Sequence, residues 1–224
     1  MTLVQDFDRK AHWQSIYEQK EATEVSWFQA KPTVSLELIA NCRLDQADPI
    51  IDVGGGGSNL VDHLLESGYK NLAVLDISVS ALEASRKRLG AHADAVTWIE
   101  SDVTAYSPEY RFALWHDRAV FHFLTAAGDR QSYVKTLNKA LRVGGHLILA
   151  SFAIGGPEKC SGLPIVQYDA RKLGTELGPG FELVEERTEK HMTPAHQVQE
   201  FAYFHFMRVE LNTTTHRSGF EDCR

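Results

Sequence analysis

Cysteine is scarce in this chain, and what there is does not pair up. Cys42, Cys160 and Cys223 are odd in number and none stands in a CxxC spacing. Neither a disulfide framework nor a zinc site is suggested, so the thiols read as those of a reducing compartment. Also missing is any block of Lys and Arg. With 23 Lys and Arg against 30 Asp and Glu, the net charge of −7 leaves no basic stripe for nucleic acid. Small molecules or a basic protein fit better as partners. No apolar run approaches the roughly 18 residues of a membrane helix, the start MTLVQDFDRKAHW lacks the apolar core of a signal peptide, and no internal repeat is evident. The expectation is a soluble, cytoplasmic protein with no nucleic-acid or membrane partner and no metal.

What is present is an alternation of strand-like and helix-like segments in a length of 224 residues, enough for one domain with a large core. PIIDV reads as a buried strand, and Leu60, Val61, Leu64 and Leu65 recur at helical spacing behind Ser58 and Asn59. Four glycines, Gly54 to Gly57, lie between them. A strand-to-helix turn of this kind lets a ligand approach the backbone, where a side chain would keep it away. Further strands are expected at 71–76, 96–100, 111–117 and 144–152. Helices are expected at 80–90, with Ser80 as N-cap and Gly90 as stop, and at 129–141. FELVEERTEKHM and QEFAYFHFMR, separated by a turn at 193–198, should pair as an antiparallel hairpin. The fold expected is α/β: a Rossmann-like, seven-stranded sheet of five parallel strands plus a C-terminal antiparallel hairpin, with helices on both faces. Residues 1–48 read as a helical lid segment, 49–208 as the catalytic domain and 209–224 as a mobile tail.

Three carboxylates mark one rim of that sheet. Asp52 sits at the first strand's end, where it would repel a pyrophosphate and suit a cationic amino group. Asp76 ends the second strand, ~24 residues on, the place for a ribose-binding acid. Asp102 follows the third strand. A dinucleotide fingerprint begun at Gly54 and Gly56 puts Asn59 where the third glycine belongs. Each acid taken alone also reads as a helix cap or turn residue.

With IIDVGGGGS, VLDIS, ESDV and LWHDRAVFHFL as successive motifs, the chain resembles the class I S-adenosylmethionine-dependent methyltransferases. The resemblance implies S-adenosyl-L-methionine as cofactor. Gly54 and Gly56 would approach its methionine part, Asp52 would organise the amino group, Asp76 would bind the ribose, and Asp102 with Val103 would hold the adenine edge. It also places Trp13, Tyr17, Ile77 and His116 on the cofactor. Ser58 stands where many family members have another glycine.

The stretch WHDRAVFHFLTAAGDRQSYV further resembles thiopurine S-methyltransferases and bacterial tellurite-resistance methyltransferases, through Asp117-Arg118-Ala119 and Gly128-Asp129-Arg130. On that analogy Arg118 faces a small acceptor, such as a thiol or another soft nucleophile, with Asp117, Arg118 and His122 as catalytic candidates. A structural Arg118 paired with Asp117 or a helix carboxylate is the competing reading. Trp27, Phe28 and Phe123 are expected beside the acceptor, and Trp13 and Tyr17 either cover the ligands or pack on the core. His146, inside an apolar strand, reads as structural. The loop GGPEKCSGLP could wall the acceptor site, with Cys160 as an ordinary loop residue. A protein lysine methyltransferase of the elongation-factor-modifying type is the alternative, because the fourth motif also looks distantly like the Asp-Lys-Gly-Thr turn of those enzymes. Arg118 and Ala119 replace its Lys-Gly pair.

Overall fold

The structure, a computed structural model, describes residues 7–211. The end of the tail, residues 212–224, lies outside them. Helices α1 (Arg9–Gln19) and α2 (Thr33–Asn41) come first. Then follow β1 (Ile50–Val53), α3 (Leu60–Glu66), β2 (Leu72–Asp76), α4 (Val79–Leu89), β3 (Val96–Glu100), β4 (Phe112–Arg118), α5 (Ala127–Ala140) and β5 (Leu141–Phe152). A two-residue ribbon, β6 (Lys159–Cys160) with β7 (Leu163–Pro164), precedes α6 (Ala170–Leu177), β8 (Phe181–Met192) and β9 (Val198–Arg208).

The main sheet has the order β3-β2-β1-β4-β5-β9-β8, with β1 to β5 parallel and the last two strands antiparallel. β1 and β2 are buried at every position because helical layers cover both faces, which is why they read as continuous apolar runs. One layer packs Trp115, Tyr133, Leu137, Leu149 and Phe204. The other packs Leu38, Leu60, Val74, Ile148 and Tyr203. Strand order reverses between β1 and its neighbours β2 and β4, and open sheets of this type form a crevice at the carboxyl ends of such strands.

Two boundaries differ from the sequence reading. Ser78, not Ser80, caps α4, its hydroxyl accepting from the Ala81 amide at 3.2 Å. β5 begins at Leu141, three residues before the expected glycines, because its edge continues directly from the end of α5. The hairpin falls where it was expected: the Thr193 amide donates to the Gln197 carbonyl at 2.9 Å, and the Thr193 hydroxyl accepts from the Gln197 amide at 3.0 Å. β8 is an edge strand, and its exposed positions carry Glu182, Glu186 and Lys190, charges that discourage a further strand from pairing.

Candidate active site

The glycine turn is built around Asp76. One carboxylate oxygen accepts from the Gly56 amide at 3.0 Å and the other from the Ser78 amide at 2.9 Å, tying the turn after β1 to the start of α4. Burial raises the Asp76 pKa to about 6, the two backbone donors opposing part of that rise. Gly54 adopts a left-handed φ of 69°, and a Cβ there would lie 2.1 Å from Val120 Cγ2, so glycine is required on both counts. A Cβ at Gly57 would likewise meet the Tyr17 ring at 2.7 Å.

Between these elements and the N-terminal helices lies a largely apolar crevice. Gly54, Asp76 and Ile77 line its floor, with Asp102 and Val103 at one end. Trp13, Tyr17, Trp27, Phe123 and Arg118 line its roof and far wall. The Trp13 ring meets Phe123 edge-on at 4.8 Å and Trp27 at 5.8 Å, and Trp27 Nε1 donates to the Tyr17 hydroxyl at 3.3 Å. Asp102 accepts from the Thr104 amide and hydroxyl at 2.8 and 2.7 Å, and pairs with Arg9 at 3.2 Å.

Asp52 and His116 stand apart, bordering a narrow side cavity behind Gly54. Asp52 Oδ1 is 2.7 Å from His116 Nδ1, and His116 Nε2 is 2.9 Å from the Ser35 hydroxyl on α2. The chain of three joins the N-terminal segment to the ends of β1 and β4. Asp52 Oδ2 is buried with no protein partner. Asp52 thus enters a network, one oxygen committed to His116 and Oδ2 left to accept.

Four expectations are corrected by the geometry. Gly56 does not line the crevice, because its amide is committed to Asp76. Asp117 is completely buried, accepting from the Tyr133 hydroxyl at 2.6 Å and from the Val120 and Phe121 amides; it holds the turn after β4 and reaches no reactant. His122 is also fully buried, its ring edge against Phe123 and Phe152, and burial first, then the nearby Arg118 charge, lowers its pKa to about 3. It does not border the crevice, and its ring is uncharged near neutrality. Phe28 faces a separate surface groove with His191 and Pro194.

Arg118 lines the crevice wall, with most of its guanidinium held by the protein. Nε donates to the Tyr203 hydroxyl at 2.9 Å, Nη1 to the Trp27 carbonyl at 3.0 Å, and the guanidinium lies 4.3 Å from the Phe201 ring centroid. Nη2 makes no hydrogen bond, with Glu189 at 3.7 Å. Ala119 follows with a left-handed φ of 72°, a strained conformation that turns the chain at the crevice wall and tolerates only a small side chain cheaply. Reading the sequence missed Arg9, Gln199 and Phe201. Arg9 carries no motif, and the other two reach the crevice only through the β9 register. Cys160, expected as a loop residue, lines the wall from the β6–β7 ribbon with burial raising its pKa to about 11.

Residues 51–147 match the family described as "Methyltransferase domain". The fold is shared with solved S-adenosyl-L-methionine-dependent methyltransferases, and over that span the chain is similar to methyltransferase domains. It is 21% identical over 192 residues to human "EEF1A lysine methyltransferase 2", covering 79% of this chain and 75% of that one. It is 20% identical over 157 residues to mouse "eEF1A lysine and N-terminal methyltransferase", covering 66% of this chain. That match spans only 22% of the mouse protein's length. Among solved structures, Burkholderia thailandensis 1,6-didemethyltoxoflavin-N1-methyltransferase, with bound 1,6-didemethyltoxoflavin and S-adenosylhomocysteine, superposes with a TM-score of 0.68 at 17% identity. The superposition covers 90% of this chain and 87% of that one.

The residues present fit the cofactor. Gly54 lines the crevice floor, Asp52 Oδ2 is a buried acceptor without a partner, and Asp76 ends the neighbouring strand.

Proposed function

We propose that this protein methylates a small-molecule acceptor bearing a thiol or another soft nucleophile, and that an anionic or electron-rich part of the acceptor rests against Arg118. The observation that carries this reading is the polar inventory of the crevice. Among the described residues the positive charge at the far wall is Arg118, whose Nη2 makes no hydrogen bond and lies 3.7 Å from Glu189, a carboxylate that already accepts from Tyr203 and Gln29. A guanidinium repels a lysine ammonium and attracts an anion. Among the described residues no histidine lines the crevice, which suits an acceptor that ionises without a positioned base, as thiols do to a few per cent at neutral pH. The turn after β4, similar to that of thiopurine and tellurite-resistance methyltransferases, supports the same reading.

When bound, the cofactor supplies an electrophilic methyl carbon on a sulfonium. The chain supplies position and dryness. Asp76 would accept hydrogen bonds from hydroxyl groups at the floor, and Asp52 Oδ2 would accept from an amino group reaching the side cavity behind Gly54. Trp13, Trp27 and Phe123 close the roof, excluding water and offering π faces to positive charge. Arg118 orients the acceptor for in-line attack. In this reading residues 1–48 act as the lid on the catalytic domain.

A protein lysine acceptor is the second reading, favoured by the names of the two mammalian relatives. One experiment separates them: the purified enzyme with S-adenosylmethionine against a thiol panel and, in parallel, elongation factor 1A. Thiol turnover with a raised acceptor KM in Arg118→Gln supports the proposal. Methylation of the protein with no thiol turnover overturns it.

A further inference from the structure

Away from the crevice, three side chains that methyl transfer does not use point at one another. Cys42 ends α2, His146 lies early in β5, and His205 lies in β9 opposite Ile148. His146 Nδ1 is 2.9 Å from His205 Nε2, and that same nitrogen is 3.6 Å from Cys42 Sγ. All three atoms lie within 4.8 Å of one another. Cys42 and His205 are buried, while His146 is half-buried and gives a path from the surface. Glu185 stands directly across from His205 in the β8–β9 register, hence on the same face of the sheet, with one oxygen 3.4 Å from the Asn41 side chain next to Cys42.

As a packing solution this cluster is poor. His205 Nδ1 is buried with no partner, and the surrounding layer is apolar, so aliphatic side chains would leave nothing unsatisfied. Nor does it belong to the crevice. His146 pairs with Leu114 near the start of β4, whereas the crevice residue Arg118 pairs with Ala150 at the other end. What a thiol and two imidazoles in this arrangement suit is a borderline-soft divalent cation.

We propose that Cys42, His146 and His205 bind one zinc ion, with Glu185 or a water as the fourth ligand. Zinc distances of about 2.3 Å to sulfur and 2.0–2.1 Å to nitrogen in a tetrahedron put ligand atoms about 3.3–3.6 Å apart. The Cys42–His205 separation already meets that, and the two imidazole nitrogens need to part by about half an ångström as their hydrogen bond is replaced. On binding, the Cys42 thiol gives its proton to solvent and becomes the thiolate ligand. The proton shared between the two rings moves to a nitrogen that does not face the metal, so both imidazoles remain neutral. The ion would tie the end of α2 to β5 and β9. Because α2 also carries Ser35, the partner of His116, it would steady the N-terminal segment over the crevice.

The test uses the full chain, stripped with chelator and titrated with zinc against a chromophoric competitor, then with cobalt(II). The expected result is about one equivalent of zinc per chain and a thiolate-to-cobalt charge-transfer absorption. Cys42→Ser should abolish that absorption and weaken zinc binding by more than about tenfold, while its metal-free circular dichroism matches the parent. His146→Gln, at the half-buried position, gives the same loss of affinity if the serine variant does not fold. Absence of stoichiometric zinc uptake, a cobalt complex with no thiolate absorption, or variants that bind zinc as the parent does would each overturn the proposal.

Discussion

The floor and the roof of the crevice are held by different kinds of contact. On the floor, Gly54 and Asp76 sit at the ends of buried strands, and the Asp76 carboxylate is locked by two backbone amides. The roof is different. Helix α1 has no buried residue, and it rests on ion pairs from Arg9 to Asp102 and Asp129 and from Lys10 to Glu100. Hydrogen bonds that Gln14 Oε1 accepts from the Ser78 hydroxyl and the Ser80 amide, and the edge-on contacts of Trp13, complete its attachment. Partly exposed pairs of this sort are worth about 0–1 kcal/mol each. A fixed floor can be preorganised for a cofactor, and a loosely fastened roof can leave to admit one.

The hardest test of that contrast is Asp76→Ala. Losing a charged acceptor for hydroxyl groups costs about 1.5–3 kcal/mol per hydrogen bond, so the cofactor Kd should rise by about a hundredfold in calorimetry. Stability should fall as well, because the Gly56 and Ser78 amides lose their acceptor in a buried place. Unchanged affinity would break the floor assignment.

Asp117 sharpens the comparison, since it too is buried with a pKa raised to about 6, burial again being the main cause. Both acids have folded pKa values above the ordinary 3.8. Between about pH 4 and 6 the folded state therefore binds protons that the unfolded chain does not, and stability declines as pH rises through that window, then levels. Asp117→Ala strands the Tyr133 hydroxyl and two amides, and should cost about 2–3 kcal/mol, read as a thermal midpoint lower by about 5–10 °C. Cofactor affinity should barely change. In the parent that affinity should climb as pH passes about 6 and Asp76 ionises; Asp76→Asn should flatten the climb, and Asp117→Asn should keep it. If Asp117→Asn flattened it too, the division of labour between the two acids would be wrong.

Local pattern made the floor legible and left much of the roof dark. Strand ends, the glycine turn and Asp76 follow from apolar runs and spacing within some thirty residues of chain. Asp52 was found at the right strand end, but its partner His116 is 64 residues away and Ser35 on another helix, so where its carboxylate points depends on tertiary packing. Asp117 and His122 have the composition of a catalytic pair, yet each side chain turns inward, a choice made by Tyr133 in one case and by Phe123 and Phe152 in the other. Cys42, His146 and His205 show the limit most clearly. Without a short-range spacing, only the β5–β9 register and the end of α2 bring them together.

On the roof, Trp13→Ala should act on turnover more than on stability. Its ring touches Trp27 and Phe123 on a helix with no fully buried residue, so the thermal midpoint should move by no more than a few degrees. Removing the ring admits water over the reacting centre, and kcat/KM should fall by about tenfold, close to 1.4 kcal/mol of lost transition-state stabilisation. A large stability loss with turnover preserved would make Trp13 a core residue and the roof a misreading.

The smallest expected effect belongs to Arg9→Ala. Its guanidinium bridges Asp102 and Asp129, joining α1 to the end of β3 and the start of α5 at partly exposed positions. Two such contacts, each worth about 0–1 kcal/mol, permit a rise in cofactor Kd of about two- to fivefold. Because they are screened over a Debye length of about 8 Å at physiological ionic strength, parent and variant should converge as salt is raised. The direction of that convergence decides the matter. If the parent weakens towards the variant, the ion pairs hold the roof down over bound cofactor; if both are insensitive to salt, the aromatic contacts alone close it, and the roof is as firmly set as the floor.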